Sequence, residues 1–600
     1  MLKNGNSIRR LAFSGVIACS AALSLSAWAT VPAFSAALSS MSIEQSRSEL
    51  LAALPRGTAV YYLSTLAPLY AANHMQPMWR DRAAIQQFQQ QLAGLAMSGV
   101  QPQFSQWVTS LTDPAVNDVG RDIVLSDAML GYLQFVSAIG THGNSWLYSN
   151  IPYKLGLPPN AVINQWQLAV RQDRLQSYVN SLVPQHPQYT KMYQALRDML
   201  VNNRPWPQVS NGPNLYPGQL SNDIPALREI LMRTDMLTHS APVAQARGRL
   251  ARNEPDDSGL SVGEENNRES LVATSARDIT LAAGSTVITQ SAASVTVGET
   301  VYSPDLVAGV KRFQKWQGLN TDGVIGARTR EWLNVSPQTR VALLALNIQR
   351  LRILPGYISS GIMVNIPNYS LTYYQNGREV LSSHVIVGRP SRKTPLMNSV
   401  LSNVVLNPPW NVPTSLVRAD IVPKAMRDGS YFQQHGYTLL SDWSKDAKVI
   451  DPAMIDWNSV SARNFPYRVR QAPGASNSLG RFKFNMPSSD AIYLHDTPNH
   501  NLFQKDMRAL SSGCVRVNKA DDLANMLLHD AGWSNDRVAS TLQEGNTTYV
   551  NIRQRIPVKL YYLTAWVSDD GQMQFRTDIY NYDHAVRSGV QILAQAEKLM

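Results

Sequence analysis

Apolar residues recur at the spacing of an α-helix over much of the first third of the chain. One stripe, with members three or four positions apart, consists of Ile85, Phe88, Leu92 and Leu95. Gly99 then stands where a helix commonly ends. A second stripe consists of Tyr189, Met192, Tyr193, Leu196, Met199 and Leu200. Because such stripes are packing faces, residues 30–205 are predicted to form a helical scaffold domain without chemistry of its own.

The pattern stops in the middle of the chain. Residues 238–300 contain no aromatic residue and are rich in Ser, Thr, Gly, Ala and charged residues. Such a segment cannot bury enough apolar area to order itself, so a disordered insertion is predicted there. Its flanks predict two halves of one small domain, residues 206–336. Their apolar helical faces consist of Ile224, Leu227 and Leu231 before the insertion and Leu306, Val310 and Phe313 after it.

The hydrophobic period changes after residue 336. A connecting helix is predicted at residues 341–354, within a linker of residues 337–358. Alternating and β-branched runs then predict strands at residues 362–366, 370–374, 380–387, 403–406 and 491–494, and within residues 549–578 around an Asp570-Gly571 turn. Asn376-Gly377 is typical of a tight hairpin turn. Residues 359–600 are therefore predicted to form a β-rich domain.

Composition narrows the class of protein. Hydrophobic residues make up 44% of the 600 residues and charged residues 16%, which excludes wholesale disorder, collagen and coiled coils. At about 100–200 residues per domain the length allows several domains, and the element pattern predicts a multidomain α+β architecture. The formal charge of +11 suits an anionic partner. Nucleic acid is not predicted, because no basic run carries interleaved aromatic residues.

The N-terminus has the features of a secretory signal peptide. Its positive residues are Lys3, Arg9 and Arg10, its apolar stretch spans residues 11–27, and Ala27-Trp28-Ala29 fits a cleavage site. Residues 1–29 are therefore predicted to direct export and to be removed, leaving a charge of +8. Two alternatives are a retained membrane anchor and a lipoprotein signal that ends at Cys19.

Cys514 is the one cysteine left after that cleavage, which excludes a disulfide scaffold. An unpaired thiol in an oxidising compartment is a liability unless it has a function, the alternative being a buried, inert side chain. The sequence Ser511-Ser512-Gly513-Cys514 predicts a loop that precedes a helix starting near Lys519, capped by Asn518. From a loop a side chain can reach a cleft.

His495 is the predicted partner of this thiol. Strand alternation over residues 491–494 places Tyr493 and His495 on the same face. A nearby imidazole lowers the pKa of a thiol and can return the proton to a leaving amine. The backbone amides of Gly513 and Cys514 are candidate donors to an oxyanion. The rival histidines are His384, His500 and His529, and no cluster has metal-ligand spacing.

The halves around the insertion resemble the three-helix peptidoglycan-binding domain of many cell-wall enzymes. The matching positions are Phe313-Gln314, Gly318-Leu319 and the turn from Asp322 to Gly326. The long insertion between the halves departs from the family pattern. A purely structural role for this module is the alternative.

The segments around His495 and Cys514 resemble the catalytic motif of the L,D-transpeptidases, which have the YkuD-type fold. The matching residues are His495-Asp496-Thr497, Ser511, Gly513, Cys514, Val515 and Arg516, with further landmarks at Val387-Gly388, Thr394-Pro395, residues 407–413 and residues 477–480. Ser512 departs from the pattern, because many members have a second histidine there. The combination of domains is similar to that of the large periplasmic members of the family, which predicts a periplasmic location.

The resemblance implies a transfer reaction on peptidoglycan without a cofactor or metal. Cys514 would attack the meso-diaminopimelate carbonyl of a donor tetrapeptide stem, and a second stem would resolve the thioester to give a 3→3 cross-link. His495 would serve as base and then acid, and carbapenems would be the inhibitor class. The expected oxyanion or substrate-binding residues are Gly513, Ser512, Ser511, Arg516, Tyr493 and Asp496. Arg516 would hold a substrate carboxylate or, alternatively, form a structural ion pair.

Rival activities and partners follow from the same residues. An L,D-carboxypeptidase would use water in place of the amine, and a wall-binding protein would have no activity. The predicted partners are peptidoglycan stems as donor and acceptor, and other wall-synthesis proteins. The sequence predicts no oligomeric state.

Residues 414–476 interrupt the predicted catalytic domain between two of its landmarks. The segment is too long for an ordinary loop and contains Trp443, Trp457 and a helix-like run at residues 417–427. It is predicted to fold over the cleft as a cap that limits water. A surface decoration remote from the chemistry is the alternative.

Overall fold

The computed structural model describes residues 41–149, 154, 156–237 and 300–600. The predicted signal peptide, Cys19 and all of the predicted insertion except Thr300 lie outside these residues. The described residues contain a helical scaffold, a small helical domain and a β-rich domain, which confirms the multidomain α+β architecture.

The scaffold domain contains eight helices in the residues described. They are α1 (Ile43–Ala52), α2 (Leu63–Ala72), α3 (Arg82–Met97), α4 (Pro102–Thr112), α5 (Asp118–Tyr148), α6 (Asn160–Arg171), α7 (Leu175–Ser181) and α8 (Gln188–Val201). Phe88, Leu92 and Leu95 are fully buried, as their stripe predicts. Within the described residues α5 alone is long and apolar enough to cross a bilayer, but most of it is buried inside the scaffold domain.

In the described parts of the small second domain there are three helices: α9 (Ile224–Arg233), α10 (Pro304–Trp316) and α11 (Ala327–Leu333). The two halves join through bridges between Leu215 and Ile325 and between Leu220 and Val301. The Gln314 side chain donates to Asp322 at 3.0 Å and accepts from the Gly323 amide at 2.8 Å. The predicted Asp-Gly turn is therefore tied to the helix that precedes it.

Helix α12 (Pro337–Arg350) connects the units and is buried along nearly all of its length. It starts four residues before the predicted helix, because the Ser336 hydroxyl caps it by accepting from the Thr339 amide at 3.1 Å. At its other end the fully buried Arg350 pairs with Asp583 at 2.6 Å. Arg350 also donates to the Leu147 carbonyl at 3.1 Å and thus links the scaffold to the C-terminal segment.

Fifteen strands lie in the C-terminal half of the chain. They are β1 (Gly361–Asn365), β2 (Ser370–Gln375), β3 (Arg378–Gly388), β4 (Met397–Leu406), β5 (Trp410–Asn411), β6 (Tyr437–Leu440), β7 (Val449–Ile450), β8 (Arg468–Gln471), β9 (Phe482–Asn485), β10 (Leu494–His495), β11 (Ala509–Ser511), β12 (Val515–Val517), β13 (Thr548–Tyr561), β14 (Ala565–Val567) and β15 (Met573–Phe575). Asn376 and Gly377 both have positive φ, as the predicted hairpin turn between β2 and β3 requires. The predicted strand at residues 491–494 is mostly wrong, because Ala491 has a φ of 53° and regular pairing begins at Leu494.

Nine of these strands form one sheet in the order β11-β3-β12-β10-β9-β4-β13-β1-β2. Strand β2 also pairs with β3, so eight of the strands close into a barrel with β11 beside β3. Three pairs are parallel: β1 with β13, β10 with β12, and β11 with β3. The parallel pairing of β10 with β12 brings the predicted histidine and cysteine segments side by side.

The inserted segment, residues 414–476, has a hydrophobic core of its own. Its helical part consists of α13 (Thr414–Leu416), a π-helix (Val417–Ile421), α14 (Val422–Ala425) and α15 (Tyr431–Gln434). Strands β5, β8, β6 and β7 form a separate four-stranded sheet in that order. The buried core residues are Val412, Val417, Ile421, Val422, Ala425, Phe432, Leu439, Phe465 and Val469.

The remaining helices lie on the barrel and on the scaffold. They are α16 (Ala520–Asp530), α17 (Asn535–Glu544), α18 (Val586–Gln591) and α19 (Leu593–Ala596), with short 3-10 turns at Leu351–Ile353, Pro452–Met454, Ala462–Asn464, His500–Gln504 and Glu597–Leu599. The residue that precedes α16 is Lys519 and not the predicted Asn518, whose amide donates to the His384 carbonyl. Helices α18 and α19 pack on α3, so the chain end returns to the scaffold. A Cβ on Gly589 would lie 2.0 Å from the Met97 carbonyl oxygen, so this contact needs glycine.

Arg350→Ala should destabilise the protein strongly, because it leaves the Asp583 carboxylate buried without its cation. We expect a loss of about 3–5 kcal/mol in the free energy of unfolding, measured by thermal and denaturant unfolding. The matched control is Arg228→Ala, which breaks an exposed pair with Asp305 and should cost under about 1 kcal/mol. Equal effects of the two variants would contradict a linking role for Arg350.

Candidate active site

The loop that carries Cys514 is held in one shape by hydrogen bonds. Ser511, at the end of β11, accepts from the Gly513 amide at 3.1 Å and donates to the Cys514 carbonyl at 2.6 Å. Thr394 donates to the Gly513 carbonyl at 2.7 Å. Gly513 has a φ of 121°, which only glycine adopts readily, and a Cβ there would crowd Ile492 at 3.1 Å. Residues 511–514, the cysteine loop, are therefore preorganised.

His495 lies beside this loop because of strand pairing. In the register of β10 with β12, His495 is opposite Arg516, and in the register with β9 it is opposite Lys483. The His495 ring is buried, and its Nδ1 is 2.5 Å from the Asp496 carbonyl oxygen. A carbonyl only accepts hydrogen bonds, so Nδ1 carries the proton and Nε2 of the neutral ring is free to act as a base.

Two cations flank this imidazole. Lys483, His495 and Arg516 form a row across β9, β10 and β12. Burial, reinforced by the charges of Arg516 and Lys483, lowers the pKa of His495 to about 3. The imidazole is therefore neutral at physiological pH.

Neither flanking cation has an acidic partner in the described part of the chain. No carboxylate forms an ion pair with Lys483 or Arg516 there. The Arg516 Nε is buried without a hydrogen-bond acceptor, and burial lowers the pKa of both cations. Buried cations without a counter-charge are costly, so the site is electrostatically suited to an anion.

The Cys514 thiol is partly exposed and lies 3.9 Å from the Ala491 carbonyl oxygen. Burial raises its pKa, and hydrogen bonds from Tyr493 together with the charges of Lys483 and Arg516 oppose that shift. The resting pair is therefore a neutral thiol and a neutral imidazole rather than an ion pair. Such a site needs a bound group to favour transfer of the thiol proton.

Tyr493 forms a wall of the site. Its ring lies 5.6 Å from that of His495, and the Lys483 Nζ lies 4.2 Å from its centroid. Burial, followed by the proximity of Cys514, raises the pKa of Tyr493, and the side chains of Trp410 and Cys514 lie near its hydroxyl. Trp410 lies on β5, so the sheet of the inserted segment begins at the candidate site.

The Asp496 side chain lies against a turn of the barrel. One carboxylate oxygen accepts from the Arg481 amide at 2.8 Å, and the other lies 3.4 Å from His500. A Cβ on Gly480 would approach this carboxylate to 2.3 Å, so the turn packs directly on it. Asp496 orients His495 through its backbone carbonyl, and substrate binding by its side chain stays a prediction.

The two predicted oxyanion donors differ in their hydrogen bonds. The Gly513 amide donates to Ser511 and is occupied, whereas no acceptor of the Cys514 amide lies among the described residues. The Cys514 amide therefore remains the better candidate. Ser512 is exposed and accepts from Arg392 at 3.2 Å, so it faces the loop at residues 389–395.

Of the three rival histidines, His384 lies on β3 opposite Ser370, His500 lies beside Asp496, and His529 is in the last turn of α16. No group of three or more His, Cys, Asp or Glu side chains within the described residues could hold a metal ion. Sequence reasoning missed Lys483, Trp410 and Arg392. Lys483 alternates with the buried Phe482 and Phe484, which places it on the opposite face of β9, but only the register shows that it adjoins His495.

Family profiles match three parts of the chain. The profile of the YkuD family, described as "L,D-transpeptidase catalytic domain", matches residues 359–550. Profiles described as "Scaffold domain" and "Putative peptidoglycan binding domain" match residues 64–196 and 291–333. A protein of Haemophilus influenzae named "Putative L,D-transpeptidase" is 34% identical over 525 residues, which cover 87% of this chain and 78% of the relative. The family resemblance found in the sequence is thus confirmed.

Alkylation of Cys514 by iodoacetamide should report the electrostatics of the site. Burial raises the thiol pKa above the usual cysteine value of about 8.5, so the alkylation rate should rise only at pH values above that. A thiolate–imidazolium ion pair would instead react at a constant rate down to acidic pH, and we expect no such plateau. Lys483→Met removes a charge that lowers this pKa, so the midpoint should move to higher pH and alkylation at mildly alkaline pH should slow several-fold. The measurement is the rate of mass increase of protein lacking residues 1–29.

The control for this change is Lys505→Met, which removes an exposed charge. It should leave the pH profile unchanged. A midpoint that does not move in the Lys483 variant would show that this lysine has no electrostatic effect on the thiol.

Proposed function

The chain belongs to the L,D-transpeptidase family, and we propose that it forms 3→3 cross-links between peptidoglycan stems through a thioester on Cys514. The observation that carries this proposal is the parallel register of β10 with β12, which brings His495 beside the cysteine loop. A base with a free Nε2, a thiol and a free backbone amide make up the machinery of acyl transfer.

The acylation step uses each of these groups. Nε2 of His495 takes the proton of the Cys514 thiol, and the sulfur attacks the carbonyl carbon of the third residue of a donor tetrapeptide. The bond to the terminal D-alanine then breaks, and the imidazolium gives its proton to the leaving amine. The Cys514 amide stabilises the tetrahedral oxyanion.

The second step resolves the thioester. The neutral side-chain amine of diaminopimelate on another stem attacks the thioester carbonyl and gives a proton to Nε2 of His495 as the C–N bond forms. The C–S bond then breaks, the imidazolium returns the proton to the leaving thiolate of Cys514, and a 3→3 amide bond has formed. Water in place of this amine would give an L,D-carboxypeptidase, so the two activities share one intermediate.

Lys483 and Arg516 are proposed to bind a carboxylate of the donor stem. Of the two roles expected for Arg516, a structural ion pair is disfavoured because no carboxylate partner lies within the described residues. A carboxylate between the cations would also offset the field that keeps His495 unprotonated. Donor binding would thus make the imidazole a better base when it is needed.

Peptidoglycan is the proposed substrate, because the chain combines a catalytic domain of this family with a peptidoglycan-binding domain. Export to the periplasm is proposed from the signal-like residues 1–29, since that compartment contains the substrate. The binding domain is fixed to the rest of the molecule. Arg328 pairs with Asp506 and Trp332 donates to Thr577 at 3.1 Å, so a bound glycan strand would be held in a constant orientation to the barrel.

The inserted segment is proposed to cap the site and to limit water. Its sheet begins at Trp410, which lies near the Tyr493 hydroxyl beside the thiol. Its π-helix carries Asp420, which pairs with Arg392 next to Ser512. Contacts on two sides of the cysteine loop favour a cap over a remote surface decoration.

Cys514→Ala should abolish cross-linking while the protein stays folded, because the covalent route is lost. Incubation with tetrapeptide-containing muropeptides, followed by mass analysis, should show released D-alanine and 3→3 dimers for the wild type only. Intact-mass measurement should show one carbapenem adduct on the wild type and none on the variant. Wild-type release of D-alanine without dimers would indicate a carboxypeptidase instead, and no release would indicate a protein without this activity.

Removing the inserted segment should raise hydrolysis relative to cross-linking by several-fold. Residues 414–467 can be replaced by a short Gly/Ser bridge, because β5 and β8 pair through Trp410 with Gln471 and Asn411 with Arg470. This design keeps Trp410 against Tyr493. The control is Trp443→Ala, which alters the exposed surface of the segment. An unchanged product ratio in a folded deletion variant would contradict the cap.

A further inference from the structure

One acidic residue of the inserted segment is bound by two arginines of the barrel. Asp420 lies in the π-helix Val417–Ile421. Its carboxylate accepts from both terminal nitrogens of Arg392, one contact being 3.0 Å long, and lies 3.6 Å from Arg389. A two-pronged arginine–carboxylate pair fixes orientation as well as distance.

Arg392 has a second partner on the other side. Its Nη1 donates to the Ser512 hydroxyl at 3.2 Å. Ser512 directly precedes Gly513 and Cys514 and stands where many family members have a histidine. One guanidinium therefore contacts both the inserted segment and the cysteine loop.

The loop at residues 389–395 that carries Arg392 is itself tied to the cysteine loop. The Arg389 amide donates to the Ser511 carbonyl at 3.0 Å, and the Thr394 hydroxyl donates to the Gly513 carbonyl at 2.7 Å. The turn is tight, because a Cβ on Gly388 would lie 2.1 Å from the Arg392 carbonyl oxygen. A displacement of this loop would therefore be transmitted to the residues around Cys514.

We propose that Arg392 is a positioning residue that couples closure of the inserted segment to the placement of the cysteine loop, with Asp420 as its partner on the segment. This inference rests on the proposed function. When Asp420 engages Arg392, the segment is held over the site and Ser512 is held in place. When the pair opens, water enters and the thioester is hydrolysed in preference to aminolysis.

The pair is suited to a reversible contact. The Arg392 and Asp420 side chains are 24% and 35% exposed, so the pair is partly screened by salt, whereas Arg350 and Asp583 are only 0% and 10% exposed. Raising the ionic strength should therefore lower the ratio of cross-linked to hydrolysed product in the wild type. Raising the ionic strength should have little effect on this ratio in a variant that lacks the Arg392–Asp420 pair.

The test separates the two contacts of Arg392. With tetrapeptide muropeptides, Asp420→Asn should lower the ratio of dimer to hydrolysed product by roughly three- to tenfold, the range of one lost charge-assisted contact, with D-alanine release within about twofold of wild type. Ser512→Ala should slow D-alanine release without changing the ratio. Arg392→Met should lower the ratio of dimer to hydrolysed product and also slow D-alanine release. The double variant Arg392→Met with Asp420→Asn should have the same product ratio as Arg392→Met alone.

Two further variants complete the design. Asp420→Glu, which keeps the charge, should have a ratio of dimer to hydrolysed product between those of Asp420→Asn and the wild type. Asp446→Asn is the matched control, since it removes an exposed carboxylate of the same segment and should have the wild-type ratio at every salt concentration.

The outcomes are distinguishable. A wild type that makes no dimers would overturn the proposed function. A wild type that makes dimers, with Asp420→Asn matching Asp446→Asn, would overturn the coupling alone. Additive effects of Asp420→Asn and Arg392→Met on the ratio would likewise show that the two residues do not act as a pair.

Discussion

The candidate site depends on one row of side chains across three neighbouring strands. Lys483 on β9 and Arg516 on β12 stand on either side of His495 on β10. Two cations and burial together keep the imidazole neutral, and burial keeps the thiol protonated. In the proposed mechanism, a carboxylate of the donor stem enters between these cations and offsets their field at His495. Substrate charge, base strength and thiol reactivity would then be linked through the register of the barrel.

The rest of the molecule holds this register in place. The barrel closes because β2 pairs with both β1 and β3, and β10 is paired on both sides, with β9 and with β12. Helix α12 and the C-terminal helices α18 and α19 join the barrel to the scaffold. Arg350 is buried where these parts meet, and its charge is neutralised by Asp583. Within the described residues, the scaffold, the small domain and the barrel thus contribute to one continuous hydrophobic core.

The inserted segment is the part of the catalytic half with a separate core. It meets the site through polar contacts: Trp410 with Tyr493, and Asp420 with Arg392. Polar, partly exposed contacts are weaker than a shared apolar core. This difference in packing supports the proposal that the segment opens to donors and closes over the thioester while the barrel stays in place.

Local sequence determined a large part of this protein. The helical stripes, the Asn376-Gly377 turn, the loop at Cys514 and the match to the L,D-transpeptidase motif all depend on residues close together in the chain, where spacing and turn chemistry are informative. Tertiary structure alone decided which side chains surround Cys514 and His495. Lys483, Trp410 and Arg392 reach the site through strand register and through an insertion that folds back, and neither follows from local patterns. The same reason explains why sequence alone did not show that the Gly513 amide donates to Ser511 or that one Asp496 oxygen accepts from the Arg481 amide, because such partners are set by the fold.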